Sequence, residues 1–396
     1  MPVLVALVSV LLAAAPASAP VPASAAPKAA SPEQIRKAFE DGRRYFVESH
    51  VKVALAEFEK GGYVSYRNKK KEIAQLGPDV FREDQLYDLT LFLANHERLG
   101  FGKDDPLVQR AMDFLVKRFD PKTGTWPLWS SEGCLHAKGM ALLHEFGQAE
   151  LAKAALAFDV NGPMNVKPGF CEGQSGYLIQ SWGNPSVSLI KENLYTRDRV
   201  TAEMTLINLI AFQEMGLTAA DPVVKANLKW FEDWMASRGY DEDEFDRFAG
   251  LIKVPELLER YALKKPKTLQ VVVDVLEPRL ARPRTRLERD VYFRGEVARA
   301  LFYARKLGAK VKAEVLDAAI AKIVAEQAAD GHWMTDIMDM PKQPGMFLSN
   351  LNGTATFVAI NCLRSAIDEL PPPAASLQAA PDAGTETPDA AQATKP

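Results

Sequence analysis

Cysteine is scarce: Cys134, Cys171 and Cys362 are the only three in 396 residues. At most one disulfide can close within the chain, and the sequence leaves all three pairings open. An excess of charge is lacking as well. With 48 basic and 51 acidic side chains and a formal net charge of -3, no basic stripe is left to release counterions from a polyanion. That excludes nucleic acid as a partner. The short run Lys69-Lys70-Lys71 reads as a solvated loop. Nor does the start of the chain hold a bilayer span. Its apolar run, Val3 to Ala15, is about thirteen residues long where about 20 are needed.

That run fits a secretory signal over residues 1–25, because small residues follow it and Ala23-Ser24-Ala25 before Ala26 suits a signal peptidase. No Lys or Arg precedes the apolar core, and no Cys near the cleavage region supports a lipid anchor. The expectation is a periplasmic or secreted protein starting near Ala26, with a short linker over residues 26–32. At the other end, residues 371–396 are Pro, Ala, Thr and Asp with almost no large apolar side chain, a composition expected to stay disordered.

Between these ends the apolar content, 47% of the whole chain, is ample for a core. Its spacing is helical. Glu314 to Gln327 carries one apolar stripe and stops at Asp330-Gly331-His332-Trp333, whereas Thr354 to Asp368 is apolar nearly all round and predicts a helix buried on most faces. The phrases Glu97-Arg98-Leu99-Gly100, Glu145-Phe146-Gly147, Glu214-Met215-Gly216 and Lys306-Leu307-Gly308 repeat one stop signal, a glycine just past a helix end. Asp105-Pro106 and Asp221-Pro222 repeat one start signal.

Six inner helices follow, beginning near Glu83, Glu132, Arg197, Phe245, Asp290 and Ser349. Each has an outer partner: the N-terminal segment Glu33 to Glu59, with a break near Ser49-His50, and helices near Leu107, Gln148, Val223, Thr268 and Glu314. The β-branched run Val271-Val272-Val273 would also suit a strand. The expected fold is all-α over residues 33–370, an α/α toroid of about six helical hairpins without a sheet. If the hairpins close into a ring, the long links Thr123 to Ser131, Asp159 to Thr196 and Gly331 to Ser349 share one rim with the N-termini of the inner helices. Sites gather on such loops, and the helix dipoles there favour anionic groups.

Two phrases carry a family resemblance. Gln327-Ala328-Ala329-Asp330-Gly331-His332-Trp333, and Asp120 to Trp126 with Gly124 but without the glutamine, resemble the Q-x-x-x-G-x-W repeat of the terpenoid-cyclase and prenyltransferase toroids. The resemblance implies an α/α toroid and a hydrophobic, isoprenoid-like ligand. It does not carry the chemistry across. The cyclases' acidic D-x-D-D proton donor is absent, Asp241-Glu242-Asp243-Glu244 having different spacing, and so is the D-x-C zinc signature of the prenyltransferases.

Candidate site residues stand at the rim. Glu132, Cys134 and His136 open one inner helix, and Cys171 lies in the longest link. Two thiolates and an imidazole could hold zinc with one position open, in a set similar to that of the lanthionine-forming cyclase toroids, although the order along the chain differs; a Cys134 to Cys171 disulfide is the plainer reading. Tyr195, Arg197 and Asp198 lead into a second inner helix. Asp290, Tyr292, Arg294 and Glu296 open a third, and Asn350 precedes the last. In this scheme Arg197 and Arg294 hold an anionic group, Asp198 or Glu296 serves as base, and His136 serves as acid on a small-molecule or glycan ligand. Arg–carboxylate bridges between neighbouring helices would use the same residues. Trp129 and Trp182 could stack on a ligand, while Trp126 and Trp333 belong to the repeat and read as structural. His50, His96 and His144 read as ordinary surface or core residues. Two functional classes therefore stand open: a ligand-binding or catalytic rim, and a repeat scaffold that holds a polymer or a protein.

Overall fold

A computed structural model describes residues 29–59, 66–67, 73–74, 83–122, 124, 126, 133–161, 202–238, 240, 245–335 and 348–371. The described chain is all-α apart from one antiparallel ladder of two residues a side, Tyr66–Arg67 with Ile73–Ala74. No described helix is long and apolar enough to cross a membrane. Residues 1–28, which hold the expected signal and the start of the expected linker, and the tail beyond Pro371 lie outside these residues.

The helices are α1 (Pro32–Phe46), α2 (Lys52–Glu59), α3 (Glu83–Leu93), α4 (Pro106–Arg118), α5 (Gly133–Glu145), α6 (Ala149–Asn161), α7 (Ala202–Glu214), α8 (Pro222–Ala236), α9 (Phe245–Arg260), α10 (Pro266–Ala281), the single turn α11 (Arg286–Arg289), α12 (Val291–Lys306), α13 (Ala313–Ala325) and α14 (Leu348–Ile367). Local chemistry sets their ends. Ser31 and Gln34 form a reciprocal capping box at α1, and Asp105 accepts the Leu107 N–H at 2.8 Å ahead of Pro106. Gly147, Gly216 and Gly308 take positive φ just beyond a helix, as the repeated stop signal requires, whereas α3 ends at Leu93 and Gly100 takes its positive φ at the end of the turns that follow. Val271 to Val273 lies inside α10, where Val272 and Val273 are buried: packing overrides the strand preference of β-branched residues.

Burial separates two layers. Helix α14 buries Ala355, Phe357, Val358, Ile360 and Leu363 on successive faces, and α12 does the same with Val291, Phe293, Val297, Leu301 and Phe302. Helix α4 buries one stripe, Leu107, Val108, Ala111, Met112 and Leu115. In the inner layer α3 packs on α5, α5 on α7, α7 on α9, α9 on α12, α12 on α14, and α14 returns to α3, so the contacts form a closed cycle. Lys253 and Glu256 of α9 pair in step with Glu296 and Arg299 of α12, and Arg98 beyond α3 reaches Tyr303 and Ser365 near the ends of α12 and α14. These neighbouring inner helices therefore run in parallel.

The two tryptophan loops brace this arrangement in the same way. Trp126 and Trp333 are fully buried, and their Nε1 groups donate to Leu115 O at 2.8 Å and Ile323 O at 2.7 Å, carbonyls late in the preceding outer helix. Gly124 and Gly331, both at positive φ, press on the next outer helix, where a Cβ would stand 2.5 Å from Ala154 O or Asp41 O. Gln327 completes the second loop by donating to Ala38 O at 2.8 Å. Helix α1 thus stands to α13 as α6 stands to α4, and the first described helix follows the last outer one.

Cys362 is a free, fully buried thiol on α14, so both pairings that would use it do not form.

Candidate functional site

Glu132, Cys171, Tyr195, Arg197, Asp198, Trp129 and Trp182 lie outside the described residues, as do the side chains of Cys134 and Asn350. Helix α14 begins at Leu348, so Asn350 lies within its first turn and does not precede it. Of the residues assigned a role, His136, Arg294 and Glu296 remain, and the structure sends them in three directions.

His136, on the first turn of α5, faces α6. Its Nε2–H donates to Ala155 O at 3.0 Å, and the ring lies 5.0 Å from Phe158 and 5.7 Å from Trp126 between centroids. Burial drives its pKa down to about 4, against the pull of the Ala155 carbonyl, so the ring is neutral at pH 7. Its Nδ1 is buried without a partner. Arg294 donates to Glu326, just past α13, and to the Arg289 carbonyl, tying the start of α12 to the end of its outer partner. Glu296 is about 200° further round the same helix. It faces α9 and accepts from Lys253 Nζ at 2.8 Å. Burial would raise its carboxyl, but the charges of Lys253 and Arg299 hold it at about 2. Asp290 caps α12 through the Tyr292 N–H and accepts from Thr335 Oγ1 at 2.9 Å.

From the middle of the inner helices to their C-terminal ends, the carboxylates of Glu214, Glu256 and Glu296 are ion-paired. Arg299 lies 3.5 Å from Glu296 and 3.7 Å from Glu256, Arg260 lies 2.8 Å from Glu214, and Arg98 donates to Tyr303 Oη and Ser365 Oγ. The opposite end differs. Among the described residues, the buried carboxyl oxygens without a hydrogen-bond partner are Asp88 Oδ1 and both oxygens of Asp159. Asp88 is on the second turn of α3, and Asp159 is on the last turn of the antiparallel α6, one turn beyond the Ala155 that holds His136. Burial alone pushes the Asp159 carboxyl up to about 8.

Asp88 has a partner that helix spacing had passed over. Its Oδ2 lies 3.0 Å from His50 Nδ1. His50 sits in a π-helical turn, Val47–Val51, between α1 and α2. The sequence signal was the break at Ser49-His50, since wide turns of this kind often mark sites. A histidine placed at such a break warrants more attention than a lone one on a regular helix.

Compared with known proteins, the chain matches no family model and no curated protein.

Proposed function

We propose that this chain is an exported α/α toroid that holds a hydroxyl-rich, carbohydrate-type ligand at the rim of inner-helix N-termini. The observation that carries the reading is the contrast between the two ends of the inner layer. At one end the carboxylates of Glu214, Glu256 and Glu296 are ion-paired, whereas the other buries three carboxyl oxygens, on Asp88 and Asp159, that no described group satisfies. Sugar hydroxyls donate to such oxygens; an isoprenoid chain has no donor to offer. Calorimetric titration with an oligosaccharide panel and an isoprenoid diphosphate tests this. Sugar binding that weakens at least about tenfold in Asp88→Asn or Asp159→Asn, roughly the worth of one or two hydrogen bonds to a charged or buried group, is the expected result. Sugar binding that is absent, or indifferent to both changes, refutes it. Export is tested separately by the mass of the protein recovered from a secreting host, expected to begin near Ala26.

Two other readings each have one observation in their favour. A repeat scaffold without chemistry is favoured by the matched network of Lys253, Glu256, Glu296 and Arg299, which joins neighbouring inner helices and leaves these charges mutually satisfied. A zinc site using Cys134, His136 and Cys171 is favoured by the imidazole itself. Its Nε2–H is fixed by a backbone carbonyl and its Nδ1 has no partner, the orientation a metal-ligating histidine takes. Equilibrium dialysis with zinc, wild type against His136→Gln, decides the second.

A further inference from the structure

We propose that His50 and Asp88 form a proton-transfer dyad of the rim site, with His50 Nε2 as the base and Asp88 as the residue that positions it. The inference rests on the rim-ligand reading for its substrate but not for its geometry. A carboxylate only accepts, so the 3.0 Å contact places the imidazole proton on Nδ1 and leaves the Nε2 lone pair free to take another. The pair is sheltered, with 9% of the His50 side chain and 4% of the Asp88 side chain accessible, so the bond is little diluted by water.

Three elements fix the ring. The π-turn carries His50 out of the regular helix, and Phe46 stacks on it at 5.9 Å and 20° while Tyr45 leans against it at 5.6 Å. From α14 the backbone of Gly353 closes over the hydrogen bond. A Cβ there would stand 2.5 Å from Nδ1 and 2.9 Å from Asp88 Oδ2, so any other residue would force the pair apart. The titratable groups around His50 are few. Among the described residues, helix α3 supplies Asp88 and α1 supplies Tyr45, while α14 supplies the Gly353 backbone. Tyr45 stacks on His332 at 5.1 Å, and His332 Nδ1 lies 2.5 Å from Asp330. Burial, with the Asp330 charge, raises the Tyr45 phenol, so it stays neutral. Burial also raises the Asp88 carboxyl, and its bond to His50 opposes the rise. A pair that served only to staple the π-turn to α3 would not need Asp88 Oδ1 left buried and open.

An imidazole held at Nδ1 by a carboxylate suits hydrolysis of an O-acyl ester on a hydroxylated ligand. Nε2 takes a proton from water as the water oxygen bonds to the acyl carbon. The C–O bond to the ligand then breaks, and the same proton passes from Nε2 to the departing alkoxide, leaving an acid and an alcohol. No co-reactant other than water is needed.

The experiment uses p-nitrophenyl acetate, which requires no recognition of the natural ligand. The wild-type protein is expected to hydrolyse it at pH 8. His50→Gln should remove about 100-fold or more of that rate, the usual worth of a positioned base, and Asp88→Asn should lower the rate and shift the pH profile. Equal rates in wild type and His50→Gln overturn the proposal. Nitrogen-15 spectra of the wild-type imidazole provide a test that needs no variant: an Nε2 that carries the proton at pH 8 also overturns it. Ester hydrolysis that depends on His50 in a protein that binds no sugar would refute the ligand reading and leave the dyad standing. Sugar binding with hydrolysis indifferent to His50 would do the reverse.

Discussion

Trp333→Phe is the sharpest test of how α13 and α1 are held together. The indole is fully buried, and its loop donates twice, from Nε1 to Ile323 O at 2.7 Å and from the backbone to Thr356 Oγ1 at 3.1 Å. Helix α1 lies directly on it, since a Cβ on Gly42 would stand 2.5 Å from Trp333 Cζ3 and 2.6 Å from Ile360 Cγ2. Phenylalanine keeps the backbone bond and most of the apolar contact. It removes the Nε1 donor and leaves the Ile323 carbonyl short of its partner, a loss of about 1–3 kcal/mol. The smaller ring also opens a gap between α1 and α14, worth roughly another 1–2 kcal/mol. The sum is about 2–5 kcal/mol, and Trp126→Phe should lie in the same range because its indole bonds Leu115 O in the same manner. Urea unfolding followed by circular dichroism measures both without relying on tryptophan fluorescence. A loss below about 1 kcal/mol at both positions would refute the argument that these loops brace the layers. A loss at Trp126 alone would show that the contact between α13 and α1 bears no load.

Two further outcomes follow from the charges. Lys253→Met should destabilise by about 3 kcal/mol in urea, because it strips Glu296 of its nearest cation, while Lys253→Met with Glu296→Met should lose less than the single change; a single change that costs nothing contradicts the pairing. Asp159 makes stability depend on pH. Its folded pKa of about 8 lies above the unfolded value, so the folded state keeps its proton longer and stability falls as pH rises from about 4 to 8. His136, held at about 4, works in the opposite sense below pH 6.5, since there the unfolded state binds the extra proton. The clean window is pH 6.5 to 8, where the wild type should lose about 2 kcal/mol and Asp159→Asn should not. A wild type equally stable across that window would mean that the carboxyl is solvated or paired.

Legibility followed the kind of signal involved. Most helix ends were plain because they depend on single residues: Gly147, Gly216 and Gly308 stand where a chain must take positive φ, and Pro106 and Pro222 where it must start. The division into layers was plain because α14 is apolar all round and α4 is not. The Val271 to Val273 run stayed ambiguous since its preference is weaker than the packing that decided it. Site residues were a different matter. Being near the start of an inner helix says how high a side chain stands, but the direction it faces depends on its phase within about 100° per residue. Arg294 and Glu296, two residues apart, point one toward α13 and the other toward α9, and His136 turns to α6. Within one helix, sequence spacing fixes only the relative phase; the absolute phase comes from contacts with helices far along the chain. His50 and Asp88 show the same limit from the other side. Their meeting needs the wide turn at Val47–Val51 to rotate His50 toward α3, and it needs α14 to pass close enough for Gly353 to lie on their bond. The break at Ser49-His50 and the glycine at 353 were both readable, but only the closed cycle of helices brings them, some three hundred residues apart, to one hydrogen bond.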